Sequence, residues 1–219
     1  MTFVRKTALI MLLLIGLTIL NAQDLHITRL HYDGGGDWYA NPSSLPNLIN
    51  FITRETNIRV DPEEYRVKIT DTDLYNHPFL YMTGHGNVKF SKEEIFKLRD
   101  YLTSGGFLHA DDNYGMDASF RREMKKVFPE KEWVELPHDH PLFSAYFELK
   151  NGLPKIHKHD ENAPQALALF HHGRIIALYT YESDLGDGWE DIEVHKDGAQ
   201  KHQSALEMGT NILIYAFTN

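Results

Sequence analysis

The stretch that decides the fold is GGFLHADDNYG, residues 105–115. Two glycines end a predicted helix, an apolar run follows, and that run stops at a histidine and paired acids. This pattern predicts a central strand that delivers polar groups to one edge of a sheet. In open α/β sheets ligands bind beyond the carboxyl ends of the strands, so we expect the functional site at this edge.

Three other apolar runs end in the same way. Each is followed by glycine together with histidine, acids or tryptophan, at residues 33–38, 83–87 and 182–191. Helical patterns lie between the runs, and the clearest begins with a capping box at Ser91. Alternating strands and helices predict an α/β fold with a mostly parallel central sheet.

The remaining elements are predicted from periodicity and turn residues. Helices are expected near Leu45, from Asp117 to Phe128 and over residues 205–216. We expect strands at residues 25–32, 67–70, 79–83 and 133–136, and a hairpin formed by residues 166–170 and 174–181. Residues 183–191 are interpreted as a solvated acidic lid, with a calcium loop as the alternative.

The amino terminus has the pattern of a secretory signal. Arg5 and Lys6 precede an apolar core, and Ala22 ends a small-residue cleavage site. The prediction is a signal peptide over residues 1–22, followed by one domain over residues 23–219 in the periplasm or outside the cell. An uncleaved anchor is the alternative, although the apolar core is shorter than the roughly 20 residues that span a bilayer.

Charge and cysteine content exclude several classes of function. The formal net charge is −9, and cleavage would remove only positive charge, so nucleic acid is not an expected partner. The chain has no cysteine, which excludes disulfides and a thiol nucleophile. With no membrane span expected after cleavage, the predicted partner is a small molecule; the sequence does not indicate an oligomeric state.

Candidate catalytic residues come from the ends of two central runs. His109 or His85 is expected to act as a general base, with Asp111 or Asp112 orienting the imidazole. His85 stands between two glycines in a turn that resembles a nucleophile elbow, but no serine or cysteine stands there. The competing interpretation of His85 is that it only hydrogen-bonds to the loop backbone.

Candidate ligand-binding residues combine aromatic faces with carboxylates. Flat aromatic rings suit a sugar, and carboxylates suit its hydroxyl groups. The predicted set is Asp37, Trp38, Tyr39, Tyr114, Asp184, Asp187 and Trp189.

No cofactor is assigned from the sequence. The glycine loop at residues 34–36 lacks the spacing of a dinucleotide-binding turn. The pairs His138/His140 and His157/His159 would each point to one face if extended, but they form no recognised zinc motif. We therefore assign no metal ligands to the predicted site. The alternative is a metal-dependent protein, with the ion bound by His109, Asp111 and His85 or by the acidic residues of the stretch 183–191.

The chain resembles domain-of-unknown-function family 4159 over essentially the whole of its predicted mature length. The motifs that carry the resemblance are residues 32–42, 83–86, 105–115, 152–157, 179–191 and 208–211. That family is similar in turn to the class I glutamine amidotransferase-like superfamily, which includes the ThuA-type proteins. The resemblance implies a three-layer, flavodoxin-like α/β fold. Amidotransferases carry a cysteine at the elbow, so glutamine hydrolysis is not expected here.

Two functions follow from these residues. The first is a hydrolase or lyase of the cell envelope that acts on a small polar or carbohydrate-like molecule. The second is a non-catalytic module that uses the same crevice for ligand binding or assembly, because fold alone does not decide between catalysis and binding.

Overall fold

The computed structural model describes residues 25–159 and 161–219 of the chain. Within them, seven strands form one sheet. The strands are β1 (Thr28–Leu30), β2 (Tyr65–Val67), β3 (Phe79–Gly84), β4 (Phe107–Asp112), β5 (Val134–Glu135), β6 (Gln165–His171) and β7 (Arg174–Tyr181).

The strand order across the sheet is β2-β1-β3-β4-β7-β6-β5. The first five of these strands are parallel to their neighbours, whereas β6 is antiparallel to β7 and β5 is antiparallel to β6. The structure therefore confirms an α/β fold with a mostly parallel sheet. It also confirms the predicted hairpin, which is the antiparallel pair β6 and β7.

Helices cover both faces of the sheet. They are α1 (Ser44–Glu55), α2 (Lys92–Thr103), α3 (Asp117–Val127), α4 (Leu185–Trp189), α5 (Ile192–His195) and α6 (Ala199–Thr218). Apolar residues of α1, α4 and α6 pack with Tyr81 on one face. Those of α2 and α3 pack with Leu80 and Met82 on the other.

The two central strands are buried along their whole length. All six residues of β3 and all six of β4 are buried, including the polar residues at their carboxyl ends. Strands covered by helices on both faces read as continuous apolar runs, which is why residues 79–83 and 107–109 were recognisable. The burial of the polar residues that follow was not predicted.

The predicted capping box of α2 is present. The backbone N–H of Glu94 donates to Ser91 Oγ at 3.2 Å, and the backbone N–H of Ser91 donates to Glu94 Oε2 at 2.7 Å. Each bond satisfies an amide that the first helical turn leaves without an intrahelical partner. Local sequence was sufficient to locate this helix.

Three strands are shorter than or displaced from their predicted ranges, and one of them is β5, which covers only Val134–Glu135 of residues 133–136. β1 is shorter than residues 25–32, and Leu25 forms only an isolated bridge with Val60. β2 ends at Val67, where residues 67–70 were predicted. The chain leaves the sheet there because the Lys68 N–H donates to Asp71 Oδ2 at 2.8 Å and closes a turn.

A buried arginine joins β1 to the loop that follows it. The Arg29 side chain is 1% exposed and lies 2.8 Å from Glu64 Oε1. It also donates to the carbonyl oxygens of Ala40 and Asn41 at 2.8 and 3.3 Å. These bonds fix the position of Asn41, which reaches the candidate site described below.

No helix among the described residues combines the length and apolarity needed to cross a membrane. The predicted signal peptide, residues 1–22, lies outside the described residues.

Candidate functional site

Glycine-rich loops meet at the carboxyl edge of the sheet. β1, β3, β4 and β7 run parallel, so their carboxyl ends share this edge. A Cβ atom added to Gly86 would lie 3.7 Å from Gly36 Cα, and one added to Gly115 would lie 3.9 Å from Gly86 N. The stretches after three different strands are therefore in contact, as the sequence predicted.

The strand order reverses direction between β1 and β3. The chain passes from β1 to β2 on one side, and then returns to place β3 on the other side of β1. Such reversals open a crevice beyond the carboxyl ends, which is where ligands bind in open α/β sheets. The two loops at this crevice contain Asp37 and His85.

Asp37 holds His85 through both carboxylate oxygens. Asp37 Oδ2 lies 3.0 Å from His85 Nδ1, and Asp37 Oδ1 accepts from the backbone N–H of His85. The His85 side chain is 51% exposed and that of Asp37 is 35% exposed. With Asp37 accepting from Nδ1–H, His85 Nε2 carries a free lone pair, as a general base requires.

Close packing of the two loops explains their glycines. A Cβ on Gly36 would lie 2.8 Å from both the His85 carbonyl oxygen and Tyr32 Oη. Tyr32 in turn donates to the Thr83 carbonyl oxygen at 3.1 Å. The glycines therefore allow the backbone contact that presents the Asp37–His85 pair, and no dinucleotide-binding spacing is needed to account for them.

The structure encloses His109 in the core. This residue is 1% exposed, and its ring packs against Tyr81 and Trp189 at centroid distances of 5.5 and 5.9 Å. His109 Nε2 lies 3.0 Å from Thr180 Oγ1, and burial lowers the pKa of His109 to about 3. A neutral, enclosed imidazole has no contact with a dissolved substrate, so His85 is the better candidate base.

Asp111 accepts hydrogen bonds that hold α4 in place. Its Oδ2 accepts from the Gly186 N–H at 2.7 Å, and its Oδ1 accepts from the Leu185 N–H at 3.3 Å and from the Thr180 hydroxyl at 2.5 Å. Burial raises the pKa of Asp111 to about 7, although these bonds oppose the shift. Its carboxylate therefore orients a helix and not an imidazole.

Asp112 has a comparable role beside α3. Its Oδ1 accepts from the Met116 N–H at 3.0 Å, and its Oδ2 accepts from the Tyr179 hydroxyl at 3.2 Å. Burial raises the pKa of Asp112. The carboxylate that contacts the candidate base is thus Asp37, and not Asp111 or Asp112 as predicted; the sequence indicated Asp37 only as a ligand-binding residue.

The acidic stretch after β7 is a buried helix and not a solvated lid. Asp184 and Asp187 are 2% and 8% exposed, and Glu190 is 6% exposed. Burial, together with the neighbouring carboxylates, raises the pKa of Asp184 to about 9. The prediction of a lid was wrong because Asp111 and Asn41, both distant in sequence, supply hydrogen bonds that draw this stretch inward.

The aromatic candidates differ in how far their rings are exposed. Trp189 is 1% exposed and donates from Nε1 to the Ala205 carbonyl oxygen at 2.7 Å, so its faces are not open to a sugar. Tyr39 and Tyr114 are 63% and 53% exposed. Trp38 is half-buried and stacks on His31 with ring centroids 4.1 Å apart.

Three histidine side chains lie close to Asp184 and Asp187, at the start of α4. His159 Nε2 lies 3.8 Å from Asp184 Oδ2, and His195 Nδ1 lies 3.4 Å from Asp187 Oδ2. The His157 and His159 rings are 4.8 Å apart, and Tyr114 stacks on His159 at 4.4 Å. The sequence indicated the His157/His159 pair, but it gave no signal for His195.

Buried polar atoms without a hydrogen-bond partner also occur near this edge. Within the described ranges they are Tyr81 Oη, Thr83 Oγ1 and both side-chain amide atoms of Asn113. Thr83 is paired with Asp111 in the sheet register, and Asn113 directly follows β4. Unpaired buried polar groups are costly, so each of them calls for a structural or functional explanation.

One family model, described as a domain of unknown function (DUF4159), matches residues 26–217. No curated protein matches the chain.

Proposed function

We propose that this chain, which belongs to the DUF4159 family, is a hydrolase- or lyase-like enzyme. Its proposed substrate is a small polar or carbohydrate-like molecule. The observation that carries this proposal is the contact of 3.0 Å between Asp37 Oδ2 and His85 Nδ1, with the imidazole half-exposed. A carboxylate that fixes the tautomer of a histidine leaves the other nitrogen free to accept a proton.

The proposed role of each residue follows from its contacts. His85 Nε2 removes a proton from water or from the substrate, and Asp37 stabilises the imidazolium that forms. Tyr39 and Tyr114 offer exposed rings on which a sugar can stack. No cysteine takes part, since the chain has none.

We also propose the finer fold assignment, a flavodoxin-like sheet of the class I glutamine amidotransferase-like kind. The parallel strands follow the order β2-β1-β3-β4-β7, which numbered among themselves is 2-1-3-4-5. That is the order of flavodoxin-like sheets, whose ligands bind between the first and third strands. The position of His85 and Asp37 agrees with that rule.

The experiment is a turnover screen with 4-nitrophenyl glycosides and 4-nitrophenyl esters. We expect His85→Gln to lower kcat/KM by about 10²- to 10⁴-fold on any substrate that the wild type converts, because general-base catalysis contributes about that much. The matched control is His172→Asn, at the β6–β7 turn, where φ is 49° and asparagine is tolerated. Turnover that survives His85→Gln unchanged would contradict the proposal.

The alternative is a non-catalytic binding module, and the exposed rings of Tyr39 and Tyr114 favour it. It predicts that mono- and disaccharides raise Tm without any product after long incubation. Loss of that thermal shift in Tyr114→Ala, with no turnover by the wild type, would support binding over catalysis.

We further propose that the protein is exported to the periplasm or beyond. The amino-terminal pattern supports this. Sequencing the amino terminus of protein recovered outside the cytoplasm should find Gln23 first, and a retained Met1 would contradict cleavage.

A further inference from the structure

We propose that His157, Asp187 and His195 bind one divalent transition-metal ion of the zinc type. Their ligand atoms all lie within 4.8 Å of one another. Two imidazoles and one carboxylate form a ligand set that suits zinc and its neighbours and leaves a fourth position open. Neither Asp37 nor His85 is among these ligands, so the metal proposal does not depend on the proposed reaction.

The geometry of one ligand pair already fits a bound ion. His195 Nδ1 and Asp187 Oδ2 are 3.4 Å apart. Two ligands that each lie about 2.0–2.1 Å from a tetrahedral zinc ion are about 3.4 Å from each other. The third ligand, His157, has a ring nitrogen within 4.8 Å of a ligand atom of each of the other two residues, and its side chain is 33% exposed.

Each imidazole also contacts a second carboxylate outside the ligand set. His195 Nε2 lies 3.3 Å from Glu190 Oε2, and His157 Nδ1 lies 3.2 Å from Asp197 Oδ2. Carboxylates in these positions fix the tautomer of metal-binding histidines. A neutral imidazole has a single N–H, so donation to Glu190 or Asp197 leaves a lone pair directed at the site.

The third ligand is a carboxylate. In this arrangement His195 Nδ1 presents an electron pair to Asp187 Oδ2 at 3.4 Å, and a ring nitrogen of His157 lies within 4.8 Å of a ligand atom of each. A cation between them removes the repulsion, and a metal ion does so without adding protons to the imidazoles. This is the chemical reason for choosing a metal site over two simple ion pairs.

The supporting residues are themselves held in place. Asp187 Oδ1 accepts from Asn41 Nδ2 at 2.9 Å, and Asn41 is fixed by Arg29. Glu190 Oε1 accepts from the backbone N–H and the hydroxyl of Ser43, both at 3.1 Å. The candidate ligands thus have positioning partners on the loop between β1 and α1, which gives the site rigidity before an ion arrives.

The test is a titration of the full chain with Zn²⁺ after treatment with EDTA and desalting. We expect one Zn²⁺ per chain by calorimetry, and Co²⁺ in its place should give the visible absorption of a four-coordinate ion. His157→Gln and His195→Gln should each weaken Zn²⁺ affinity by at least about 100-fold, more than the loss of an orienting residue costs. Ca²⁺ should not compete, because two ligands are imidazoles.

Two further variants separate this site from other histidines. His172→Asn should leave Zn²⁺ affinity unchanged, since the β6–β7 turn lies at the opposite edge of the sheet. Asp197→Asn should weaken Zn²⁺ binding about 10- to 100-fold and shift the Co²⁺ absorption band, which a purely structural role would not do.

Several results would overturn the proposal. They are full Zn²⁺ affinity in both histidine variants, an equal loss in His172→Asn, or competition by Ca²⁺ at equal concentration. Circular dichroism and Tm measured without metal check that the variants fold. Because no substrate is used, failure here leaves the Asp37–His85 proposal intact, and failure of the turnover screen leaves metal binding intact.

Discussion

His85 and His109 show how environment separates two residues of the same type. Both follow or end an apolar run, but only His109 has acids close to it in the sequence, at Asp111 and Asp112. Asp37 holds His85 at the crevice, whereas Tyr81, Trp189 and Thr180 enclose His109. The difference depends on partners far away in sequence, so local pattern alone did not distinguish them.

Burial of His109 predicts a specific dependence of stability on pH. The pKa of His109 is lowered to about 3 from the 6.5 of an exposed histidine. The unfolded chain therefore binds more protons below pH 6.5, and the stability that the neutral ring contributes is lost as pH falls from 6.5 towards 3. By pH 4 the loss amounts to about 3 kcal/mol.

His109→Gln removes this titration and keeps a donor for Thr180. We expect the free energy of unfolding of the wild type to fall by about 3 kcal/mol more than that of the variant between pH 7 and pH 4. Urea denaturation at a series of pH values measures the difference. Parallel curves for the two proteins would show that His109 is not buried as described.

Helix α4 illustrates the limit of local prediction for an element. Residues 185–189 contain two glycines and an aspartate, a composition typical of a loop. The helix forms because Asp111 accepts from its first amides and Trp189 packs into the core. α2, in contrast, carries its own capping box, and its position was predictable from sequence.

Close packing under α4 predicts that Gly186→Ala is destabilising. The added Cβ would lie 2.6 Å from Tyr81 Oη and 2.7 Å from Asn41 Nδ2, both on buried residues. Overpacking costs about 1–3 kcal/mol, which exceeds the gain of up to about 1 kcal/mol in helix propensity. We expect a net loss of about 1–2 kcal/mol in the free energy of unfolding.

Chemical denaturation compares this variant with Gln200→Ala, an exposed substitution near the start of α6. The control should stay within about 0.5 kcal/mol of the wild type. A Gly186→Ala protein as stable as the control would mean that α4 does not lie against Tyr81 and Asn41.

At the scale of the molecule, the layered architecture was the most predictable feature. Buried parallel strands give continuous apolar runs and amphipathic helices give apolar stripes, so the alternation of elements was visible without a structure. The ends of the short strands on the β1 side of the sheet were predicted less accurately. β1 and β2 have only three residues each, too few for periodicity to define their ends.

The site was predictable in position but not in composition. The predicted ends of the strands indicated where the polar side chains lie, and His85, Asp37 and Asp187 were all among the candidate site residues. The pairing of Asp37 with His85 and the grouping of His157 with His195 depend on how loops from separate strands meet. The spacing of residues in the sequence does not indicate these contacts between loops.

One long-range connection joins the sheet to the site. Arg29 bonds to Glu64 and to the loop carbonyls that position Asn41. Arg29→Met leaves the Glu64 carboxylate, 10% exposed, without its buried partner. We expect a loss of about 3 kcal/mol or more in the free energy of unfolding, because Glu64 keeps only its exposed partner Arg66 and the carbonyl oxygens of Ala40 and Asn41 lose a donor.

Arg66→Met is the matched control. Arg66 contacts the same Glu64 oxygen at 3.0 Å, but its side chain is 62% exposed. Exposed pairs contribute about 0–1 kcal/mol, so this variant should stay close to the wild type. Equal losses in the two variants, measured by urea denaturation, would contradict the buried role of Arg29.

The loops after β1 and β3 expose the imidazole of His85, whereas the core encloses that of His109. The most direct test is the rate at which diethyl pyrocarbonate modifies each histidine of the native protein, followed by peptide mass spectrometry. We predict rapid modification of His85, slower modification in Asp37→Asn, and protection of His109 until the protein is unfolded. Modification of native His109 at the rate of an unfolded peptide, with His85 protected, would contradict the account.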